Sequence, residues 1–260
     1  MFKAVILDLD GTVYHGLRVI KGVPEAINTL RKRGISIFFL SNASMRTRSE
    51  IATKLRKMGI PCKPEEVYNT SYATAVYVKK HHPKAKVFCI TEGGLRKDMK
   101  ALGIKVTDSE HADIVATGLD TKLTMEKLTT AFRAIHNGAT FIASNVDRMY
   151  PTENGLVPGS GTIAAFLEYG TGKKPIVIGK PSPRLISSVL EDTGLKKNEV
   201  LMVGDSYETD IRAAKAIGVK CALVLTGLTK KNSSIPKKYK PDFILKSAAE
   251  LPGIIQIPKR

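Results

Sequence analysis

Short runs of consecutive apolar residues recur along the chain, and amphipathic stretches lie between them. Several of these stretches end at a glycine, the residue that most often supplies the left-handed turn after a helix. Continuous apolar strands that alternate with helices indicate a parallel sheet covered on both faces. The predicted strands are residues 3–7, 35–40, 176–178, 200–203, 221–225 and 243–245, and the predicted helices are residues 24–33, 48–57, 183–193 and 209–217.

The middle of the chain has a strand and helix pattern of its own. Strands are predicted at residues 86–90, 114–117 and 140–143, and helices at residues 94–102, 125–137 and 162–170. A loop rich in glycine and proline is predicted at residues 150–161. We therefore predict an α/β fold in which a Rossmann-like parallel-sheet core, residues 1–82 and 175–260, carries an inserted α/β cap domain at residues 83–174.

The composition is that of a folded, soluble protein, with 43% hydrophobic and 25% charged residues. The three cysteines, Cys62, Cys89 and Cys221, are far apart, which favours free thiols over disulfides or a zinc site. The N-terminus enters a predicted strand at once, and no apolar run approaches the length of a membrane span. We expect a cytoplasmic protein that does not associate with membranes.

The formal net charge of +17 has three possible meanings. It could attract nucleic acid, attract small anionic substrates, or reflect a solvated lysine-rich surface. Residues 230–246 hold the densest cluster of lysines, but few aromatic residues lie among them. That composition lacks the signature of a dedicated nucleic-acid module, so no nucleic-acid partner is expected.

The first candidate motif is Asp8-Leu9-Asp10-Gly11-Thr12, which directly follows an apolar strand. Side chains alternate along a strand, so the two carboxylates project to the same side. Ligands of open parallel sheets bind at the carboxyl ends of the strands, which is where this motif lies. Taken alone, Asp-x-Asp is also common in turns and at helix starts.

Two further motifs also follow predicted strands. Ser41-Asn42-Ala43 offers a hydroxyl and backbone amides to an anion, although capping of the next helix would explain the serine equally well. Gly179-Lys180-Pro181 would present a positive charge at a strand end, although Lys180 could also be one of many surface lysines.

The fourth motif is Gly204-Asp205-Ser206-Tyr207-Glu208-Thr209-Asp210, after the predicted strand 200–203. Asp205 is placed to ligate a metal. Asp210 could orient the site or simply favour a helix start through the helix dipole.

The four motifs are expected at the carboxyl ends of strands of one sheet. Together they supply acids for a hard cation, a hydroxyl and amides for phosphate oxygens, and a lysine. Phosphoryl transfer requires this combination of positioning and charge neutralisation.

In this order the motifs resemble the haloacid-dehalogenase superfamily of phosphotransferases. The long interval between the second and third motifs resembles the class IIA branch, which includes the NagD-like and p-nitrophenyl phosphatases. The segment Ser144-Asn145-Val146-Asp147, followed by Gly155 and Pro158-Gly159-Ser160-Gly161, resembles the cap signature of that branch. Ser41-Asn42-Ala43 departs from it, because threonine and two asparagines are more usual there.

The resemblance implies a mechanism. Asp8 would be the nucleophile that forms an aspartyl-phosphate, and Asp10 the general acid and base. Magnesium would be held by Asp8, Asp205 and the backbone carbonyl of Asp10. The residues implied to bind the phosphate or the rest of the substrate are Asp10, Ser41, Asn42, Lys180, Ser206, Tyr207, Glu208 and Thr209, with Asp210 in support.

The expected activity is hydrolysis of small phosphate monoesters, such as p-nitrophenyl phosphate, nucleoside monophosphates, glycerol phosphate or phosphoglycolate. The carboxylate at Asp10 argues against dehalogenation, because a halide leaves without a proton. A phosphomutase or phosphotransferase on the same scaffold and a catalytically silent basic binding protein remain alternatives. Relatives often dimerise through the cap, which makes a homodimer possible.

Overall fold

The fold is seen in a computed structural model, which describes residues 1–152 and 155–255. The chain divides into two compact units, each continuous in space but not in sequence. Unit 1 contains residues 1–41, 49–68 and 180–260, and unit 2 contains residues 42–48 and 69–179.

The strands are named in chain order. They are β1 (Ala4–Asp8), β2 (Tyr14–His15), β3 (Arg18–Val19), β4 (Ser36–Ser41), β5 (Val67–Asn69), β6 (Lys86–Ile90), β7 (Lys105–Thr107), β8 (Ile114–Thr117), β9 (Thr140–Ala143), β10 (Met149–Thr152), β11 (Gly155–Pro158), β12 (Ile176–Val177), β13 (Val200–Gly204), β14 (Lys220–Val224) and β15 (Phe243–Leu245).

The α-helices are named in the same way. They are α1 (Val23–Lys32), α2 (Arg48–Lys57), α3 (Thr70–His81), α4 (Gly94–Ala101), α5 (Met125–His136), α6 (Ser160–Thr171), α7 (Arg184–Thr193), α8 (Arg212–Ala216) and α9 (Leu251–Ile254). Short 3₁₀ turns occupy Pro64–Glu66, Lys197–Glu199, Lys237–Tyr239 and Ala248–Glu250, and a π-helical turn occupies Tyr207–Ile211.

Unit 1 is built on a six-stranded sheet in the order β15-β14-β13-β1-β4-β5. β1 lies in the middle, pairs in parallel with β13 and β4, and is buried along its whole length. Helix α1 shows how the chain covers such a sheet: its buried residues Val23, Ala26, Ile27 and Leu30 recur at helical spacing on one face. The predicted Rossmann-like parallel sheet is thereby confirmed.

Unit 2 has a second parallel sheet, in the order β12-β9-β8-β6-β7. One apolar cluster joins this sheet to α3 and α4 through residues such as Val78, Leu95 and Ile114. The other joins the opposite face to α5 and α6 through residues such as Phe141, Ala131 and Leu167. The unit therefore has a hydrophobic core of its own.

The prediction that the strand before Lys180 belongs to the core sheet is wrong. That strand is β12, and its residues Ile176 and Val177 pair with Ile142 and Ala143 of β9 in the second sheet. A two-residue strand carries no sequence signal for its partner, because pairing is decided by the neighbouring strand and not by local pattern.

The boundaries of the inserted unit also differ from the predicted residues 83–174. Helix α3 packs on α4 and contributes Ala75 and Val78 to the apolar cluster of the second sheet, so unit 2 begins before residue 83. At the other end it reaches Gly179, because β12 pairs in its sheet.

The predicted loop 150–161 forms the hairpin β10–β11 and the start of α6, with residues 153 and 154 outside the described part. Cys62, Cys89 and Cys221 form no disulfide, as predicted. In the described part of the chain, none of the helices combines the length and apolar character needed to span a membrane.

Candidate active site

The candidate site of unit 1 lies at the carboxyl ends of its central strands. Asp8 is the last residue of β1 and pairs with Leu40 of β4, so Ser41 is the next residue along the neighbouring strand. On the other side β1 pairs with β13, whose end leads directly into Asp205. The first and fourth motifs therefore meet at one edge of the sheet, as the sequence predicted.

Lys180 reaches the same place although the strand before it belongs to the other sheet. Its Nζ lies 2.5 Å from Oδ1 of Asp8 and 2.6 Å from Oδ1 of Asp210. Lys180 is 3% exposed, so the surface-lysine alternative is excluded. Burial opposes the charged form of this lysine, but the two carboxylates together raise its pKa above the ordinary value.

Asp205 joins the two partners of Lys180 in a cluster of three buried carboxylates. Oxygen atoms of Asp8, Asp205 and Asp210 all lie within 4.8 Å of one another. Burial raises the pKa of Asp8 well above its usual range, with Lys180 opposing this and the other two carboxylates adding to it. Burial and the charge of Asp210 raise the pKa of Asp205 to about 6. The cluster therefore has more negative charge than Lys180 can balance.

The backbone around Asp205 is shaped to hold its carboxylate. Oδ2 accepts a hydrogen bond of 2.5 Å from the backbone N–H of Leu228. Gly11 approaches from the other side with φ of 83°, and a Cβ at this position would lie 2.6 Å from Oδ2. Gly11 is therefore required both for its left-handed backbone and for the space that it leaves.

Asp10 is placed differently from the other acids. Its side chain is exposed, and its carboxylate lies outside the three-carboxylate cluster. Partial desolvation raises its pKa, and the positive charges of Lys54 and His15 oppose that shift. Asp10 can therefore reach solvent and exchange protons, whereas Asp8 is buried.

The second motif is divided between the two units. Ser41 ends β4 in unit 1 and is half-buried, whereas Asn42 belongs to unit 2. The side-chain Nδ2 of Asn42 donates to Oδ1 of Asp147 at 2.9 Å. The part that Ser41 and the backbone amide of Asn42 take in phosphate binding stays a prediction.

Ser206 to Thr209 form the turn that carries Asp205 and Asp210. The backbone N–H of Ser206 donates to Oδ2 of Asp210 at 3.0 Å, and the hydroxyl of Ser206 accepts from the backbone N–H of Thr209. Tyr207 and Thr209 are half-buried and Glu208 is exposed. Contact of Ser206, Tyr207, Glu208 and Thr209 with a substrate stays a prediction.

The donor set fits a hard divalent cation. Magnesium prefers oxygen ligands, and Asp8 and Asp205 supply carboxylate oxygens that lie within 4.8 Å of each other. Both oxygens of Asp210 are engaged, by Lys180 and by the backbone of Ser206, which suits a supporting role better than that of a ligand.

Sequence reasoning missed two contributors to the site. The first is the segment 226–229, which follows β14. In it, the hydroxyl of Thr226 donates to the carbonyl of Gly11 and the backbone N–H of Leu228 donates to Asp205. The hydroxyl of Thr229 accepts from the backbone N–H of Tyr207. This segment could have been found, since it too follows a strand of the core sheet. Lys54 of α2 had no comparable signal, because a lysine on an amphipathic helix is ordinarily a solvated residue.

Comparison with known proteins agrees with this geometry. A family described as haloacid dehalogenase-like hydrolase matches residues 5–105, and a related HAD-hydrolase-like family matches residues 177–251. The acid sugar phosphatase of Staphylococcus aureus strain USA300 is 39% identical over 254 residues, which cover 96% of this chain and 98% of that protein.

Solved structures agree as well. The p-nitrophenyl phosphatase of Archaeoglobus fulgidus superposes with a TM-score of 0.92 at 34% identity, covering 98% of this chain and 99% of that one. The glycerol phosphate phosphatase of Mycobacterium tuberculosis, solved in complex with magnesium, superposes with a TM-score of 0.89 at 30% identity. The match covers 96% of this chain and 76% of that one. The chain therefore belongs to the haloacid dehalogenase-like hydrolases, in the branch of the NagD-like and p-nitrophenyl phosphatases, and is a phosphatase of that family.

Proposed function

We propose that this phosphatase hydrolyses small phosphate monoesters through an aspartyl-phosphate on Asp8 and that it requires magnesium. The observation that carries the proposal is the buried carboxylate of Asp8, 2.5 Å from Nζ of Lys180 and clustered with Asp205 and Asp210. A buried carboxylate with a fixed cation beside it is a suitable in-line nucleophile toward an anionic phosphorus centre.

Each side chain has a separate task in the proposed reaction. An oxygen of Asp8 bonds to phosphorus while the ester P–O bond breaks, and Asp10 gives its proton to the leaving oxygen. Asp10 then takes a proton from the water that attacks phosphorus, which releases inorganic phosphate and restores Asp8. Lys180 and Ser41 hold phosphate oxygens, and Asp210 keeps Lys180 in place.

Asp8, Asp205 and the backbone carbonyl of Asp10 would hold the magnesium ion. When bound, it would offset the excess negative charge of the carboxylates and polarise the phosphate oxygens. Its presence would also favour the ionised form of Asp8 that the reaction needs, since a nearby cation lowers the pKa of a carboxylate.

The names of the relatives suggest which esters to test first. Sugar phosphates, glycerol phosphate and p-nitrophenyl phosphate are the first choices, with nucleoside monophosphates and phosphoglycolate beside them. Dimerisation through unit 2 is a further part of the proposal, and gel filtration with light scattering would test it.

The decisive experiment measures phosphate release from this panel, with and without magnesium, by the wild-type protein and by Asp8→Asn and Asp10→Asn. We expect Asp8→Asn to lose essentially all turnover and Asp10→Asn to lose about 10²–10⁴-fold. Acid quenching with a radiolabelled ester should trap a hydroxylamine-labile phosphoprotein in the wild type and none in Asp8→Asn.

Asp192→Asn is the matched control, since Asp192 is an exposed residue of α7. It should leave turnover unchanged. Substantial turnover by folded Asp8→Asn would exclude the covalent mechanism. Phosphate transfer that occurs only when an acceptor is added would favour the phosphotransferase alternative.

A further inference from the structure

The second sheet has a topology that usually creates a ligand site. The chain passes from β6 to the edge strand β7 and then returns to β8 on the other side of β6. In open parallel sheets such a reversal leaves a crevice at the carboxyl ends of the two strands, where ligands bind. Here the crevice lies between the residues that follow Ile90 and those that follow Thr117.

In this protein a segment of the chain itself, residues 42–48, bonds to both sides of that crevice. Backbone N–H groups of Gly94 and Leu95, which follow β6, donate to the carbonyls of Met45 and Ser44 at 2.9 and 3.0 Å. The backbone N–H of Leu119, which follows β8, donates to Oγ of Ser44 at 2.9 Å.

The fit of this segment is close. A Cβ at Gly118 would lie 2.7 Å from Oγ of Ser44, and one at Gly94 would lie 2.6 Å from the backbone nitrogen of Arg46. At Gly94 two backbones touch, and at Gly118 the backbone touches the side chain of Ser44, so neither position leaves room for a Cβ. Ser44 is 3% exposed, so the segment is built into the sheet edge and does not merely lie on the surface.

The end of the segment that bears Asn42 is held by the loop after β9. Asn145 donates from Nδ2 to the carbonyl of Asn42 at 2.7 Å, and Thr70 donates its hydroxyl to the same carbonyl at 2.8 Å. Asp147 accepts from Nδ2 of Asn42 at 2.9 Å. Both the backbone and the side chain of Asn42 are therefore fixed.

The groups that hold Asn42 are themselves fixed. Oδ1 of Asn145 accepts from the backbone N–H of Asp147 at 3.1 Å and from the hydroxyl of Ser160. Asn145 and Ser160 are each 3% exposed. A buried polar network with satisfied members specifies one conformation, because any alternative would leave a polar group unpaired.

We infer that the carboxyl edge of the second sheet is a docking site for the phosphatase's own phosphate-binding segment, and that Asn145 and Asp147 are positioning residues for Asn42. The inference rests on the proposed function, in which Ser41 and the backbone amide of Asn42 bind phosphate. It assigns a task to the Ser144–Asp147 motif: it sets the conformation of the residue that follows Ser41.

The test compares Asp147→Ala, Asp147→Asn and Asn145→Ala in the full-length, magnesium-loaded enzyme. Inorganic phosphate serves as a competitive inhibitor, and its inhibition constant, KM, kcat and the thermal midpoint are measured. Asp147→Ala and Asn145→Ala should raise the inhibition constant about 10-fold, because each removes a hydrogen bond from Asn42. Asp147→Asn keeps an acceptor oxygen and should stay within about twofold of wild type.

Thr121→Ala is the matched control. It breaks the 2.7 Å hydrogen bond from Thr121 to Glu92, which joins the loops after β8 and β6 but involves no residue of the segment 42–48. Phosphate inhibition should be unchanged in this variant. An equal loss in Thr121→Ala would mean a general loosening of unit 2 and would overturn the inference.

Wild-type phosphate inhibition in folded Asp147→Ala would also overturn it. Should Asn145→Ala fail to fold, the half-buried Asp147 and its two variants decide the question. A wild-type enzyme that releases no phosphate from any ester is a different result: the proposed function then fails first, and the inference fails with it.

Discussion

Two groups of charged residues in unit 1 show how the number of acids per lysine affects the pKa of a carboxylate. At the active site Lys180 serves both Asp8 and Asp210, and the pKa of Asp8 is raised because burial and neighbouring carboxylates outweigh that single lysine. At Asp242 the ratio is reversed. Lys215 and Lys220 each donate to this carboxylate at 2.8 Å.

The pKa of Asp242 is therefore shifted in the direction opposite to that of Asp8. Partial burial by itself would raise the pKa of Asp242, but hydrogen bonds from both lysines and from the backbone N–H of Cys221 outweigh it and hold that pKa well below its usual range. A carboxylate whose pKa is lower in the folded state than in the unfolded state stabilises the folded state at pH values above the unfolded-state pKa. This stabilisation is lost as the pH falls from the unfolded-state pKa to the folded-state pKa.

Asp242→Asn tests this at the level of one residue. The variant keeps an acceptor for Cys221 but loses the charge, so we expect a free energy of unfolding lower by about 1 kcal/mol at pH 7. The difference should be constant above about pH 5 and should shrink below about pH 4, where the unfolded carboxyl protonates. Urea unfolding of the wild type and of Asp242→Asn between about pH 3 and about pH 7 measures this difference in the free energy of unfolding, with Asp192→Asn as the control. A difference that grows on acidification would contradict the assigned pKa shift.

At the scale of elements, the ends of helices and strands position the functional residues. The second sheet uses the ends of β6, β8 and β9 to hold residues 42–48, and the first uses the ends of β1 and β13 to hold the carboxylates. Such ends carry backbone groups without partners inside the element, so they must find partners elsewhere. Side chains that cap these groups therefore contribute to stability.

Thr124 provides a test on helix α5. Its hydroxyl oxygen accepts from the backbone N–H of Lys127, which makes it the N-cap. Thr124→Ala should lower the free energy of unfolding by about 1 kcal/mol. Thr129→Ala on the exposed face of the same helix is the control, and alanine's higher helix propensity should make that change neutral or stabilising. Equal destabilisation by the two substitutions would contradict a specific capping role.

At the scale of the whole molecule, the net charge of +17 is the property that the fold leaves unexplained. The ion pairs near the site use only a few of the basic residues. A cationic field would raise the rate at which dianionic esters arrive, and salt would weaken it, because the Debye length falls to about 8 Å at physiological ionic strength.

The prediction is a decrease in kcat/KM of about threefold or more for a dianionic ester as potassium chloride rises from about 0.02 to about 0.2 M. The value of kcat at saturation should stay constant, since it does not depend on encounter. Steady-state kinetics at fixed free magnesium make the measurement. A kcat/KM that is independent of salt would favour the solvated-surface interpretation, and salt-sensitive binding of duplex DNA would favour the nucleic-acid one.

The sequence by itself determined the phosphatase family and most of the elements of this protein. Apolar runs and glycine stops located the long helices other than α3, and most of the strands, to within a few residues, because local periodicity reflects burial on one face. Helix α3 (Thr70–His81) was not predicted. The order of four motifs after strands identified Asp8, Asp205, Lys180 and Asp210 as members of one group, and their carboxylates and amine do meet.

Only the tertiary structure decided which sheet each strand joins and what each loop contacts. β12 and β13 have similar local patterns, yet one pairs with β9 and the other with β1. The same is true of residues 42–48: Asp147 accepts from Asn42 and Asn69 donates to the carbonyl of Arg46, and these partners lie 105 and 23 positions away along the chain. Strand pairing and loop docking depend on residues distant in sequence, and local patterns carry no information about such partners.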